Sequence, residues 1–267
     1  MPSQTSITPT SLPGLFDGAA SAGLLGPGSR SLLSGDLGAV VVAGAAGADL
    51  EDIMACDVTL VTVLIDSSSS IGCGGLEQAV RDGQNALLDA FAASSAADDI
   101  LVALWTFNDN RRVVHSYVPV GDAKRLDQHS YRASGGTALY DAWCDALAAN
   151  VAYAQTLRDG GTPCRSVVVV VTDGEDVCSK RKVGDCRKLS ADLLKSEQFV
   201  LAFVGVGSEA DFRRVAKRMG VPDDCVLVSA QATPKAIRQA FHMVSQSTIR
   251  ASQGLVRPGL QAGFFGP

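Results

Sequence analysis

The sequence predicts an α/β domain of three layers: a mainly parallel central sheet with one antiparallel edge strand, and helices on both faces. Three observations carry that prediction. Residues 58–65 (VTLVTVLI) and 166–172 (SVVVVVT) are uninterrupted β-branched runs, the pattern of strands buried on both faces. Strand and helix signals alternate between residues 56 and 247 with no repeat or linker, as expected where crossover helices cover a parallel sheet. The chain's 267 residues, 46% of them hydrophobic, suffice for a sizeable core.

The elements follow in order. Residues 1–50 hold nine Gly and four Pro, which interrupt any periodicity, so residues 1–55 read as an irregular arm. Within it the run 39–43 (AVVVA) is expected to add an edge strand to the main sheet. After the first central strand, Leu76, Val80, Leu87, Leu88 and Phe91 recur at helical spacing over 76–93. Strands over 101–107 and 113–120 flank Asn108-Asp109-Asn110-Arg111, a hairpin signal. A helix over 139–157 leads to the second central strand at 166–172. Then come a helix over 188–196, a strand over 199–206, a helix over 211–219 and a short strand over 225–228. The last helix, 234–244, begins with Pro at its first turn. Residues 248–267 form a Gly/Pro-rich tail ending Gly-Phe-Phe-Gly-Pro.

Charge and composition narrow the function. With 23 Lys and Arg against 28 Asp and Glu, the net charge of −5 speaks against a general nucleic-acid binder. No run of 18 apolar residues is present, so no membrane partner is expected. The first thirty residues contain one cation, Arg30, and no basic stretch leading into an apolar one, so no secretion signal is visible. A cytoplasmic location is the expectation. The seven cysteines (Cys56, Cys73, Cys144, Cys164, Cys178, Cys186 and Cys225) form no C-x-x-C pair and read as reduced thiols. Cys178 and Cys186 bracket the basic loop Ser179-Lys180-Arg181-Lys182 and are the one pair placed to form a conditional disulfide.

Enzymatic machinery is missing. There is no phosphate-binding G-x-x-x-x-G-K-[ST] loop and no G-x-S-x-G nucleophile elbow. Gly205-Val206-Gly207-Ser208-Glu209-Ala210 matches the dinucleotide fingerprint in form, yet no acidic residue ends the next strand to bind a ribose. His115, His129 and His242 are scattered over a strand, a loop and a helix, and no pairing of any of them with a serine can be argued from the sequence.

Chemistry concentrates instead at strand ends. The first central strand runs into Asp66-Ser67-Ser68-Ser69-Ser70, the second into Thr172-Asp173-Gly174-Glu175-Asp176. Between them lies Ser134-Gly135-Gly136-Thr137-Ala138-Leu139-Tyr140-Asp141, a glycine turn feeding a helix. Two carboxylates brought together at the ends of buried strands repel and are costly to bury, and a shared cation relieves both problems. Carboxylate and hydroxyl oxygens are hard donors, suited to Mg²⁺ or Mn²⁺.

Asp66-x-Ser68-x-Ser70, Thr137 within Gly-Gly-Thr-Ala-Leu-x-Asp-Ala, and Thr172-Asp173-Gly174 together resemble the metal-ion-dependent adhesion site (MIDAS) of von Willebrand factor A (VWA) domains. The resemblance covers about residues 56–247. It implies a Rossmann-like fold and a non-enzymatic module that binds a partner protein. The Ser68 and Ser70 hydroxyls would bind the metal directly, and Thr137 directly or through water. Asp66 and Asp173 would act mostly through water and hydrogen bonds. An exposed Asp or Glu of the partner would complete the coordination. Ser69 stands where the family often has Gly. Intracellular bacterial VWA chains are similar to those that work beside AAA+ ATPases, as in metal chelatases, or beside kinases and phosphatases in stress responses. A non-catalytic adaptor subunit is therefore the alternative reading.

Outside the motif, Asp141 is expected to cap or pair rather than coordinate, and Glu175 and Asp176 to add charge near the metal. Two further features are candidates for partner docking: the basic residues Lys180, Arg181 and Lys182 beside the metal loop, and the adjacent aromatics Phe264 and Phe265 in the tail, for which docking on this domain itself or on a second copy are the alternatives. Neither the identity of the partner nor the oligomeric state is written in the sequence.

Overall fold

The structure is a computed structural model that describes residues 4–5, 7–35, 37–53, 55, 57–208, 210–255 and 263–266. Cys56, Glu209 and residues 256–262 of the tail lie outside the described residues.

The arm supplies β1 (Gln4–Thr5), α1 (Leu12–Ser21), α2 (Pro27–Leu32), α3 (Gly38–Ala45) and β2 (Gly47–Ala48). Then follow β3 (Val58–Asp66), α4 (Ser69–Cys73), α5 (Glu77–Ala92), β4 (Ile100–Phe107) and β5 (Arg111–Pro119). The second half holds α6 (Leu139–Asp159), β6 (Cys164–Thr172), α7 (Val183–Leu194), β7 (Phe199–Val206), α8 (Phe212–Met219), β8 (Val226–Ser229) and α9 (Pro234–Ser252). Among the described residues the sheet runs β1-β2-β5-β4-β3-β6-β7-β8. Strands β4, β3, β6, β7 and β8 are parallel, and β5 pairs antiparallel with β4 through the expected hairpin. Helices α5 and α9 pack together, while α6 packs with α7, α1 and α3, so the sheet is covered on both sides. All nine residues of β3 are buried, as its apolar run requires.

Four expectations change. The run 39–43 is helical, not a strand. Val41 and Ala45 recur at i, i+4 and are buried against the core, and Gly44 lies so close to the Trp105 ring that a Cβ there would collide with it. The arm is accordingly a packed helical layer, and its strand contacts come from Gly47, paired with Tyr117, and from residues 4–5. These two short strands lie beyond β5, so β5 is not the edge of the sheet. Helix α7 starts at Val183, five residues earlier than expected, because the Asp185 carboxylate accepts the Lys182 N–H at 3.0 Å and caps the first turn. Helix α9 runs on to Ser252, since Ser247, Thr248 and Ala251 continue its buried face where the apolar pattern gives out.

Candidate functional site

In an open parallel sheet, ligands bind beyond the C-terminal strand ends where the chain's order reverses. Here β3 is flanked by β4 on one side and β6 on the other, so the reversal lies between β3 and β6. Asp66 is the last residue of β3, and Asp173 immediately follows β6.

The Asp66 carboxylate is held from two sides. Oδ1 accepts the Ser68 N–H at 2.8 Å and Oδ2 the Thr172 hydroxyl at 2.5 Å, while the Asp66 carbonyl accepts the Tyr131 hydroxyl at 2.5 Å. Burial pushes the Asp66 carboxyl up to about 6, against the lowering effect of those hydrogen bonds, and the nearby Asp173 charge adds to the rise. The Ser70 hydroxyl donates to Asp173 Oδ1 at 2.7 Å and stands 3.1 Å from the Ser68 hydroxyl. Thr137 Oγ1 faces the Asp173-Gly174 turn, lying 3.7 Å from where a Gly174 Cβ would sit. Asp66, Ser68, Thr137 and Asp173 are buried, and Ser70 is exposed at the mouth. The five sequence-predicted residues thus converge: two carboxylates and three hydroxyls, all oxygen donors.

The surrounding loops are stitched to one another. Both the backbone N–H and the hydroxyl of Ser69 donate to the Gly135 carbonyl, at 3.0 and 2.8 Å, and the Ser134 N–H donates to the Ser67 carbonyl at 2.8 Å. Asp109, which sequence reasoning read only as part of a hairpin turn, accepts the Gly136 N–H at 2.9 Å. Gly135 adopts φ +76°, and a Cβ there would run into the Asp109 carboxylate, so the glycine is required twice over. The Val177 N–H donates to the Thr137 carbonyl at 2.8 Å, leaving the Val177 side chain 76% exposed beside the site. No pattern in the sequence marks that exposure.

Asp141 pairs rather than reaching the site. Its carboxylate accepts the N–H groups of Lys180 and Arg181 at 3.2 and 2.8 Å and lies 3.6 Å from Arg111. Asp145 on the same helix holds Arg111 at 3.0 Å and Arg181 at 3.4 Å, and its burial pushes that carboxyl up despite the two guanidiniums. Arg181 is therefore turned inward, and of the basic loop only Lys180 and Lys182 are exposed. Asp176 accepts the Tyr140 N–H and the Ser179 hydroxyl and so organises the loop, and Glu175 lies 3.6 Å from Arg214.

The packing decides two points that the sequence leaves open. Phe264 is buried in the protein's own core, and the Arg250 guanidinium fastens its backbone through the Phe264 and Gly266 carbonyls at 3.2 and 2.6 Å. Phe265, half-buried, donates its N–H to the Asp224 carbonyl ahead of β8, at the end of the sheet opposite the site. Phe264 and Phe265 thus do not belong to the face around Asp66. Cys178 is exposed, with Sγ 3.4 Å from Asp109 Oδ1, whereas Cys186 is buried 3.6 Å from Cys144, so the juxtaposed thiols are Cys144 and Cys186. Gly205 of the nucleotide-like string makes room for Phe212, whose ring a Cβ would strike.

With this geometry in place, the sequence profile of the von Willebrand factor type A domain matches residues 61–246. Among solved structures, a von Willebrand factor type A protein from Catenulispora acidiphila aligns at 17% identity over 72% of this chain and 43% of its own, with TM-score 0.50. The pilus adhesin SpaC of Lactobacillus rhamnosus GG aligns at 12% identity over 77% of this chain and 31% of its own, with TM-score 0.55. The PilB minor pilin of Streptococcus sanguinis aligns at 11% identity over 79% of this chain and 65% of its own, with TM-score 0.54. These likenesses concern the fold, and the chain spans less than half the length of the first of them. No curated protein matches the chain.

Proposed function

Because the chain belongs to the von Willebrand factor type A domain family, we propose that it is a non-enzymatic protein-binding module that depends on a divalent cation, Mg²⁺ or Mn²⁺. Asp66, Ser68, Ser70, Thr137 and Asp173 would hold the cation, and an Asp or Glu side chain of a partner protein would complete its shell. One observation carries the reading: two carboxylates and three hydroxyls converge at the sheet's switch point, with Ser70 open to solvent.

The donor set fits the group. All five side chains offer oxygen, which selects hard cations over those that prefer sulfur or imidazole. The hydroxyls that would bind the ion directly are neutral and the two carboxylates would act mostly through water and hydrogen bonds, so the ion stays under-neutralised and an anionic ligand from outside is favoured. When bound, the cation supplies positive charge at the mouth of the site. Ser68 and Ser70 orient their hydroxyls from the first turn of α4, Asp66 anchors that turn through the Ser68 N–H, and Thr137 is fixed through its carbonyl by Val177. The proposed compartment is the cytoplasm, where exposed thiols such as Cys73 and Cys178 stay reduced.

The test is affinity capture from native lysate in Mg²⁺ or in EDTA, with wild type beside Ser68→Ala/Ser70→Ala. A partner retained only with Mg²⁺ and intact serines is the expected result. A partner retained equally in all conditions would refute docking through the cation.

A further inference from the structure

Charge is distributed very unevenly along the chain. Residues 180–218 carry ten Lys and Arg against five Asp and Glu, a net +5, whereas the rest carry thirteen against twenty-three, a net −10. The fold gathers those cations on one side. Helix α8 packs beside α7, and Gly220, which closes α8, lies against the backbone of Arg187. Arg187 and Lys188 on α7 and Arg213, Lys217 and Arg218 on α8 are all exposed, and among the described residues none of them forms an ion pair. The α8 cations stand opposite buried Phe212, Val215, Ala216 and Met219, so the helix presents a wholly polar outer face.

This basic face is continuous with the cation site. Exposed Lys180 and Lys182 lie on the loop between Asp173 and α7, and Arg214 reaches Glu175, two residues beyond Asp173. Resting on the cation-site reading above, we infer that the α7–α8 face and the 180–182 loop form a docking surface for an acidic protein segment, one carboxylate of which enters the cation site. Like charges repel along the rest of the molecule, so an anionic partner is steered to this side. A protein fits better than the other polyanions. The exposed large hydrophobic side chains among the described residues are Val177 and Leu255, neither of them an aromatic for stacking bases, and two isolated aliphatics make no membrane-inserting face. Val177 beside the site adds one apolar contact of the kind a protein partner offers.

The experiment uses the full chain and a dye-labelled oligo-L-glutamate, read by fluorescence anisotropy in Mg²⁺ or EDTA across a salt series. Duplex DNA and phosphatidylserine vesicles serve as alternative probes. Arg213→Glu/Lys217→Glu is expected to weaken oligoglutamate binding roughly tenfold or more and to flatten its salt dependence. Arg213→Gln/Lys217→Gln, which adds no repulsion, falls between. Both variants keep the Mg²⁺-dependent rise in melting temperature, which also reports that they fold. Ser68→Ala/Ser70→Ala loses the Mg²⁺ enhancement but stays sensitive to salt and to the charge reversal, so failure of the cation reading and failure of the docking face are told apart. Binding indifferent to the reversals would overturn the inference. So would tighter, patch-dependent binding of DNA or vesicles, or self-association of the wild type that the reversals abolish, since the face would then serve a nucleic acid, a membrane or a second copy.

Discussion

Strand β3 carries two polar clusters four residues apart, and they are built on opposite principles. At Thr62, inside the sheet, four neutral groups satisfy one another. The Thr62 and Tyr117 hydroxyls meet at 2.5 Å, the Asn150 amide donates to the Tyr117 hydroxyl at 2.9 Å, and the Ser166 hydroxyl donates to Asn150 Oδ1 at 2.7 Å. Tyr117 stacks on Tyr153 with ring centroids 4.8 Å apart, which seals the cluster. At Asp66, on the strand's end, two acids each take a hydroxyl donor of their own, Thr172 for Asp66 and Ser70 for Asp173, and cannot neutralise each other. A closed neutral network rigidifies a core, whereas paired carboxylates with an open mouth invite a cation. The difference separates a cluster that holds the fold together from one that leaves its polar groups open to a ligand.

Breaking the closed cluster has the largest expected effect. Asn150→Ala removes the partner of Ser166 and leaves a gap between β3 and α6. Chemical denaturation should show a loss of about 3 kcal/mol, with the thermal response to Mg²⁺ intact. Next comes Asp141→Ala, which frees the Lys180 and Arg181 N–H groups and leaves Arg111 with Asp145 alone. A loss of roughly 2 kcal/mol is expected, and Mg²⁺ should bind more weakly because the loop after Asp173 loses its anchor. Asp141→Asn, which keeps one acceptor, should recover part of both.

Only one of the two clusters was legible in the sequence. The Asp66 site could be read because its three segments, in order and each at a strand end or glycine turn, resemble a MIDAS, and the structure brings together the five residues that the resemblance implied, Asp66, Ser68, Ser70, Thr137 and Asp173. The closed cluster was invisible: Thr62, Tyr117, Asn150 and Ser166 come from four elements and form no local motif. The parallel core was legible from its β-branched runs. The arm was not, because its structure is set by distant partners. Valines at 40–42 favour a strand by propensity, but Gly44 against Trp105 and Val41 in the core select a helix. The place of Phe264 was hidden for the same reason, its backbone being fastened by Arg250 of α9 and that of Phe265 by Asp224 just ahead of β8.

A smaller effect sharpens the contrast through pH. His115 is buried, and burial lowers its proton affinity, opposed by the carbonyl of Ser116, 2.9 Å from Nδ1. The unfolded chain takes up a proton below about pH 6.5 that the folded imidazole resists, so stability falls as pH drops below that value. At pH 5.5 the wild type should have lost up to about 1.4 kcal/mol more than His115→Gln, relative to each protein at pH 7.5, by denaturant titration. The smallest change in stability belongs to the open site. In EDTA, Ser68→Ala/Ser70→Ala should shift unfolding by no more than about 1 kcal/mol, since Ser70 is exposed and no closed network is broken.

The most direct test is calorimetric titration of Mg²⁺ and Mn²⁺ into the metal-free wild type and into Asp173→Ala. One saturable site per chain in the wild type, absent from a variant that remains folded in EDTA, is the predicted result. Equal binding by both proteins, or no binding by a folded wild type, would contradict the assignment of these five residues as a cation site.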